Sequence, residues 1–453
     1  MYTGKWTGTM LLTEPEAGSD VGALTTTAVK NNDGSYTITG NKIFISAGEH
    51  NLSENIIHPV LARIEGAPRG TRGISLFLVP KIWVEADGRL GSKNDVLCTG
   101  MERKMGLHGN VTCSMALGSK GQCRGILLGE ESQGMRAMFH MMNEARLLVG
   151  LQGLSCASAS YVNALNYARQ RKQGRHLLTV QDTEAPAVPI IEHPDVRRQL
   201  MTMKVYVEGM RSLLYYIGGL EDRCRLTVDQ KDRERRQEMI DLLIPIAKGY
   251  VTDKAFDVCN HGIQIFGGYG YTKDYPQEQL LRNCRITMIY EGTNGIQAMD
   301  LLGRKLGLND GRAMVDLLGE CQKTILEASQ NDDLAPLAKQ LEKAVHGLIQ
   351  VAQHMGKTAS SARILQAFAF AHPFMEVCGD VILAWMLLWR AMIAANRMAQ
   401  KASKKDRFFY QGQIKSAEFF IASLLPITLG KMKAIMAING ATVEMPMEGF
   451  GSN

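Results

Sequence analysis

The feature that most constrains this chain is a change of hydrophobic period near residue 130. Up to Gly129 the sequence runs in short alternating stretches, such as Ser35-Tyr36-Thr37-Ile38-Thr39-Gly40 and Ile74-Ser75-Leu76-Phe77-Leu78-Val79. They are separated by the turn-formers Asn31-Asn32-Asp33-Gly34, Pro68-Arg69-Gly70 and Gly106-Leu107-His108-Gly109-Asn110. Alternation places every second side chain on one face of a strand, so this part predicts a compact all-β domain. From Glu130 the apolar residues recur at helical spacing over 135–170, 196–220 and 237–260, and again over 314–355, 357–400 and 406–437. Loops are expected at 179–194, which holds Pro186, Pro189 and Pro194, and at the charge-dense stretch 222–236. The expected fold class is therefore α+β multidomain: a small all-β domain (1–129), a helical bundle (130–309) and an additional C-terminal helical domain (310–453).

A length of 453 residues suffices for two to four domains at about 100 to 200 residues each. The formal charge of +6 is small for that length, a weak lean towards anionic partners that does not by itself indicate nucleic acid. Nine cysteines are scattered without a CxxC pair, which reads as reduced thiols in a reducing compartment and leaves no case for metal. His108, His140, His176, His193 and His261 are isolated in sequence and suggest no triad. The longest apolar run, 381–389, is closed by Arg390 and is too short to cross a bilayer. The first residues lack the basic start and apolar centre of a signal peptide. Trp385 and Trp389, with Met386 and Met392 at helical spacing, read as core or as an apolar face for a membrane or a partner.

The chemistry concentrates in Ile289-Tyr290-Glu291-Gly292-Thr293-Asn294-Gly295-Ile296-Gln297, where one carboxylate stands among apolar and small residues. Desolvation there would raise its pKa, which suits a base that removes a weakly acidic proton near neutral pH. Ahead of it lie Gln264-Ile265-Phe266-Gly267-Gly268-Tyr269-Gly270-Tyr271 and Arg282, and near the start Leu12-Thr13-Glu14-Pro15-Glu16-Ala17-Gly18-Ser19-Asp20. Together and in this order the motifs resemble the acyl-CoA dehydrogenase family, flavoenzymes that desaturate acyl thioesters, over most of residues 1 to 310. The C-terminal extension resembles the larger members, including those acting on 3-methylmercaptopropionyl-CoA and the very-long-chain type.

The resemblance implies FAD as cofactor and Glu291 as catalytic base. It places Thr13 on the isoalloxazine and Ser19 at the CoA pyrophosphate, with Phe44 as an aromatic and Ser46 as a hydroxyl against the flavin. Tryptophan and threonine are commoner in the family at those last two positions. Arg171 would meet the FAD pyrophosphate of a neighbouring subunit, although the aromatic residue that the family carries shortly after it is missing. Gln264, Gly267 and Gly268 would approach the same cofactor, and Thr293 and Gly295 its diphosphate region. Tyr290 would line the acyl pocket, and Arg146 would modulate the charge of the base or pair with Glu144.

The activity so implied is acyl-CoA dehydrogenation to a trans-2-enoyl-CoA in fatty acid β-oxidation, with electrons passed to an electron-transfer flavoprotein. The substrate would be 3-methylmercaptopropionyl-CoA or a medium- or long-chain acyl-CoA. The implied assembly is a homodimer or dimer of dimers sharing FAD, in the cytoplasm or peripheral to the inner membrane. An acyl-CoA or nitroalkane oxidase shares the architecture and would use oxygen. A DNA-associated alkylation-response flavoprotein relative is the non-catalytic alternative, invited by the basic stretch 401–407. The helical domain that precedes the first motif in the family is absent, so the chain reads as a truncation, a fragment or a product with a mis-set start.

Overall fold

A computed structural model describes residues 1–400 and 403–451; Lys401 and Ala402 of the basic stretch and the side chain of His140 lie outside the described residues, as does that of Phe139. The protein divides into two compact units, Met1–Ala145 and Arg146–Asn453.

The first unit is built on ten strands: β1 (Trp6–Gly8), β2 (Thr27–Lys30), β3 (Tyr36–Ser46), β4 (Asn55–Ile64), β5 (Ile74–Pro80), β6 (Ile82–Val84), β7 (Leu90–Lys93), β8 (Val96–Met101), β9 (Thr112–Leu117) and β10 (Arg124–Leu127). The main sheet runs β1-β4-β5-β10-β3-β9-β8, and β2 pairs with both β3 and β4. Because β2 bridges those two strands, β4, β5, β10, β3 and β2 form a closed ring, which removes most of the exposed edge. β6 and β7 make a separate hairpin. Tyr36, Ile38, Val60, Phe77, Val79 and Met115 fill the interior, as the alternation of β3 and β5 predicts. Met138 and Met142, on the first turns of a long helix that begins at Gly134, pack on Leu61, Ile74 and Leu76.

β3 departs from regularity where it matters. Its register with β9 shifts between Lys42 and Ile45, and Phe44 and Ala47 take left-handed backbone conformations, φ 60° and 52°. A bulky side chain at positive φ is strained, and here it marks a bulge that re-aims the strand's side chains.

The second unit is helical: α1 (Gly134–Gln170, entering from the first unit), α2 (Pro194–Leu226), α3 (Gln230–Phe266), α4 (Gln277–Arg285), α5 (Asn294–Asp300), α6 (Arg312–Ala328), α7 (Ala335–Ala359), α8 (Ile364–Ala369), α9 (Ala371–Met398), α10 (Lys404–Phe419) and α11 (Leu425–Met436). A small hairpin pairs β11 (Lys172–Arg175), which precedes the expected loop at 179–194, with β12 (Ala187–Pro189), a short strand inside it. α3 is the central helix, buried along most of its length from Glu238 to Phe266, and it packs against α2, α4, α5, α6 and α9. The bundle helices and the additional C-terminal helices therefore share one core.

Four expectations from the sequence are corrected, the first being the single helix expected at 357–400, which is two, α8 and α9, after α7 runs on to Ala359. The charged stretch 222–236 is mostly helix, with only Thr227–Asp229 outside; Arg236 pairs with Asp232 one turn away at 2.8 Å, the spacing at which opposite charges support a helix. The single helix expected at 314–355 is two, because Asn331 accepts from the Leu334 amide at 3.3 Å in a turn and Pro336 opens the next helix. The helix expected at 406–437 is interrupted by a π-helical turn at Phe420–Leu424, where Pro426 has no N–H to continue the ladder.

α9, and the continuous stretch Lys404–Met436, are long and apolar enough to cross a membrane by length and composition. The sequence reading, taken from unbroken apolar runs, missed both. In α9, 78% of the apolar window is buried inside the protein, so it serves as a core helix. Trp385 is buried and donates to Thr324 Oγ1 at 2.8 Å, while its stacking partner Trp389 is partly exposed.

Candidate active site

In the first unit the structure brings Thr13 beside the bulged strand. The Ile43 amide donates to the Thr13 carbonyl at 2.9 Å, which sets Thr13 next to Phe44. The loop is fixed from beneath by two charges that the sequence reading did not single out. Lys42 is fully buried and donates to Glu14 Oε1 at 2.8 Å, to the Leu12 carbonyl at 3.0 Å and to the Leu61 carbonyl at 2.9 Å. Glu14 also accepts from the hydroxyls of Thr25 (2.7 Å) and Thr26 (2.6 Å) and from both their amides. Burial alone would raise the Glu14 carboxyl, but the Lys42 charge and these donors outweigh it and hold it at about 2. On this base Phe44 stands 60% exposed, with the exposed hydroxyl of Ser46 two residues on. Ser19 is exposed too, in a turn closed by Asp20, which accepts from the Gly22 amide at 3.1 Å.

In the second unit the predicted residues fall into two groups. Arg171, Gly267 and Gly268 come together: they line an open groove of about 450 Å³ with Gln173, Phe266 and Tyr269. Arg171 follows the last residue of α1, donates to Gln173 Oε1 at 3.1 Å and lies over the Tyr269 ring. Gly267 ends α3 at φ 61°, a conformation that favours glycine. Gln264 is exposed on the last turn of that helix.

The second group surrounds Glu291. This residue precedes α5 in a tight turn, at φ 56°, followed by Gly292 at φ 82°. The positive φ favours glycine there, and a Cβ at Gly292 would come 2.8 Å from Gln297 Nε2, so that side chain would have to shift. Thr293 caps α5, its hydroxyl accepting from the Ile296 amide at 3.3 Å, and Gly295 is exposed on the first turn. Tyr290 is anchored through its hydroxyl to Gln152. Glu291 itself is half-buried, flanked by Arg146 of α1 and Lys248 of α3. Burial raises its carboxyl above the usual carboxylate range, and the two cations pull it partly back. Arg146 has Asp300 at 3.8 Å as its carboxylate neighbour.

Around Glu291, the residues that sequence reasoning missed are Lys248, Asn294 and Gln297. Lys248 is wholly buried; its ammonium donates to the Gly292 carbonyl at 2.7 Å and to Asn294 Oδ1 at 2.8 Å. Gln297, also wholly buried, donates to the Glu291 carbonyl at 3.2 Å. The only signal in the sequence was that Asn294 and Gln297 lie inside the motif, and nothing there pointed to a lysine 44 residues away from Gly292.

Three family models match the chain. The acyl-CoA dehydrogenase middle domain matches residues 9–118, the acyl-CoA dehydrogenase C-terminal domain residues 132–306, and the acetyl-CoA dehydrogenase C-terminal-like domain residues 317–446. The 3-methylmercaptopropionyl-CoA dehydrogenase of Ruegeria pomeroyi is 40% identical over 94% of this chain and 71% of its own length. The broad-specificity linear acyl-CoA dehydrogenase FadE5 of Mycobacterium tuberculosis is 37% identical over 98% of this chain and 74% of its own. In fold, the chain superposes with a TM-score of 0.72 on an acyl-CoA dehydrogenase complexed with FAD from Bacillus anthracis, 22% identical, covering 96% of this chain and 70% of that one. The chain belongs to the acyl-CoA dehydrogenase family of oxidoreductases. It spans 64% to 74% of the length of the leading relatives and solved chains that it matches.

Proposed function

We propose that this chain carries out the FAD-dependent α,β-dehydrogenation of an acyl-CoA thioester to a trans-2-enoyl-CoA, with electrons passed to an electron-transfer flavoprotein. The observation that carries the reading is the half-buried Glu291, held on a left-handed turn with a carboxyl raised by burial. A carboxylate poised in this way can take a weakly acidic α-proton, and its amide can donate to a thioester carbonyl as negative charge develops there.

The donor sets fit the cofactor. The exposed aromatic of Phe44, with Thr13 and the Ser46 hydroxyl, offers a flat apolar face and polar contacts to an isoalloxazine. In the groove, Arg171 supplies a guanidinium and Gly267 and Gly268 accessible backbone, which suits a diphosphate. Gln264, Thr293 and Gly295 belong to the same reading. Bound FAD would supply the acceptor for the hydride that leaves the β-carbon. Tyr290 and Arg146 would line and polarise the acyl site, and Ser19 would meet CoA. The open face of the Arg171 groove supports a cofactor shared with a second copy of the chain.

The 40% identity with the Ruegeria enzyme supports 3-methylmercaptopropionyl-CoA as substrate, with medium- and long-chain acyl-CoAs as the broader class. The test is an anaerobic titration of FAD-loaded protein with a panel of acyl-CoA thioesters. Bleaching of the flavin band by at least one of them supports the reading, and no bleaching by any contradicts it. Slow reoxidation of the reduced protein in air is expected of a dehydrogenase; rapid reoxidation would indicate an oxidase.

A further inference from the structure

Glu291 and Gly292 are consecutive residues in the left-handed region, and each has its carbonyl held by a fully buried side chain: Glu291 by Gln297 and Gly292 by Lys248. A non-glycine residue in that region is strained and persists only where its surroundings over-determine it. Burying an ammonium is costlier still, and a methionine would fill the same volume without that cost. Among the described residues no carboxylate lies within hydrogen-bond distance of Lys248; its bonds go to the Gly292 carbonyl and Asn294 Oδ1. The Asn294 carboxamide is anchored in turn, since its nitrogen donates to Asp253 Oδ1 at 2.7 Å, Thr252 Oγ1 at 2.9 Å and the Gly249 carbonyl at 3.0 Å. Asp253 is tied to the additional bundle by His372 of α9 at 2.9 Å. The lysine is thus aimed at one object, the turn that presents the base.

We infer that Lys248, oriented by Asn294, is a positioning residue for Glu291: it clamps the Glu291–Gly292 turn and its charge favours the ionised base. The inference rests on the reading of Glu291 as the base. The charges that face Glu291 are Arg146 from α1 and Lys248 from α3; Lys248 is faced in turn by Asp253 and Arg146. Burial brings the Lys248 ammonium down to about 7, so its charge is itself sensitive to pH near neutrality.

The test needs neither flavin nor substrate for its first readout. The carbonyl stretch of protonated Glu291, identified as the infrared band lost in Glu291→Gln, is followed against pH in the full chain. Lys248→Met should move that titration upward by about one pH unit, a tenfold gain in proton affinity, because a favourable cation is removed. In FAD-loaded protein it should lower kcat by about tenfold or more with KM changed by less than about threefold, the signature of a lost transition-state alignment. Asn294→Ala should shift the band in the same direction by a smaller amount, and it decides the matter alone if Lys248→Met does not fold. A band that titrates as in the parent protein in the folded variants overturns the inference. Failure of the parent to bleach with any acyl-CoA would instead count against the proposed function, leaving the infrared result to stand separately.

Discussion

Lys42 and Glu14 form a wholly buried ion pair at 2.8 Å directly beneath Thr13, so the loop that the proposed function assigns to the flavin rests on two opposite charges. Replacing one member leaves the other's buried charge uncompensated although its other hydrogen bonds remain, which in a buried pair costs about 3–5 kcal/mol. Lys42→Met should therefore lower the stability of the first unit by roughly that amount, read as a fall in its urea midpoint.

The same pair gives an acid dependence with a definite sign. Folding depresses the Glu14 carboxyl from an ordinary 4.5 to about 2, so the folded state binds this proton less tightly than the unfolded chain. The stabilisation is present in full above pH 4.5 and is lost as pH falls towards 2. Denaturant midpoints measured across that window should decline, and in Glu14→Gln the decline should flatten. An equally steep decline in the variant would remove Glu14 as its source.

Gly292→Ala should damage catalysis more than folding. The substitution forces a side chain into φ 82° and against Gln297 Nε2, costing about 1–2 kcal/mol of stability. It also displaces the preceding carboxyl, and a shift of about 1 Å at a reacting group can cost on the order of 100-fold in rate. Thermal unfolding and single-turnover flavin reduction, measured on the same preparation, give both numbers. A variant that keeps the parent rate would show that the turn does not set the position of the base.

The central helix and the additional bundle are joined by a hydrogen bond from Tyr250 of α3 to Asp380 of α9 at 2.7 Å, with Thr428 of α11 on the other oxygen at 2.8 Å. Tyr250→Phe removes one donor from a buried carboxylate and should cost about 1–3 kcal/mol. Guanidinium unfolding should show this as a lower midpoint with an unchanged slope. No loss would mean that Lys431, 3.5 Å from Asp380, makes up for the missing donor.

Local period carried most of the fold into view. β5 was legible because its residues alternate into a closed core, and α1 and α2 because apolar residues recur along one face of each, whereas α3 is buried on nearly every side from Leu242 to Ala255. Breaks in helices were less legible. The stretch 222–236 has few apolar residues to show a period, although charges one turn apart hold it helical, and the turn at Asn331 lies inside an unbroken helical pattern. In the candidate site, Glu291, Arg171 and the glycines stood out because the motif is contiguous and chemically unusual. Lys248 and Lys42 did not, because a buried lysine looks like any surface lysine until its acceptors, distant in sequence, are placed around it.

Glu291 is proposed as the base that removes the substrate proton. The most direct measurement of this is anaerobic flavin reduction by an acyl-CoA that bleaches the parent protein, repeated with Glu291→Gln, whose amide keeps the shape of the carboxyl and cannot serve as a base. The account predicts that the variant still binds the thioester, seen as a perturbed flavin spectrum, while bleaching slows by about four orders of magnitude or stops, at the upper end of what a general base contributes. Bleaching of Glu291→Gln at the rate of the parent would contradict it.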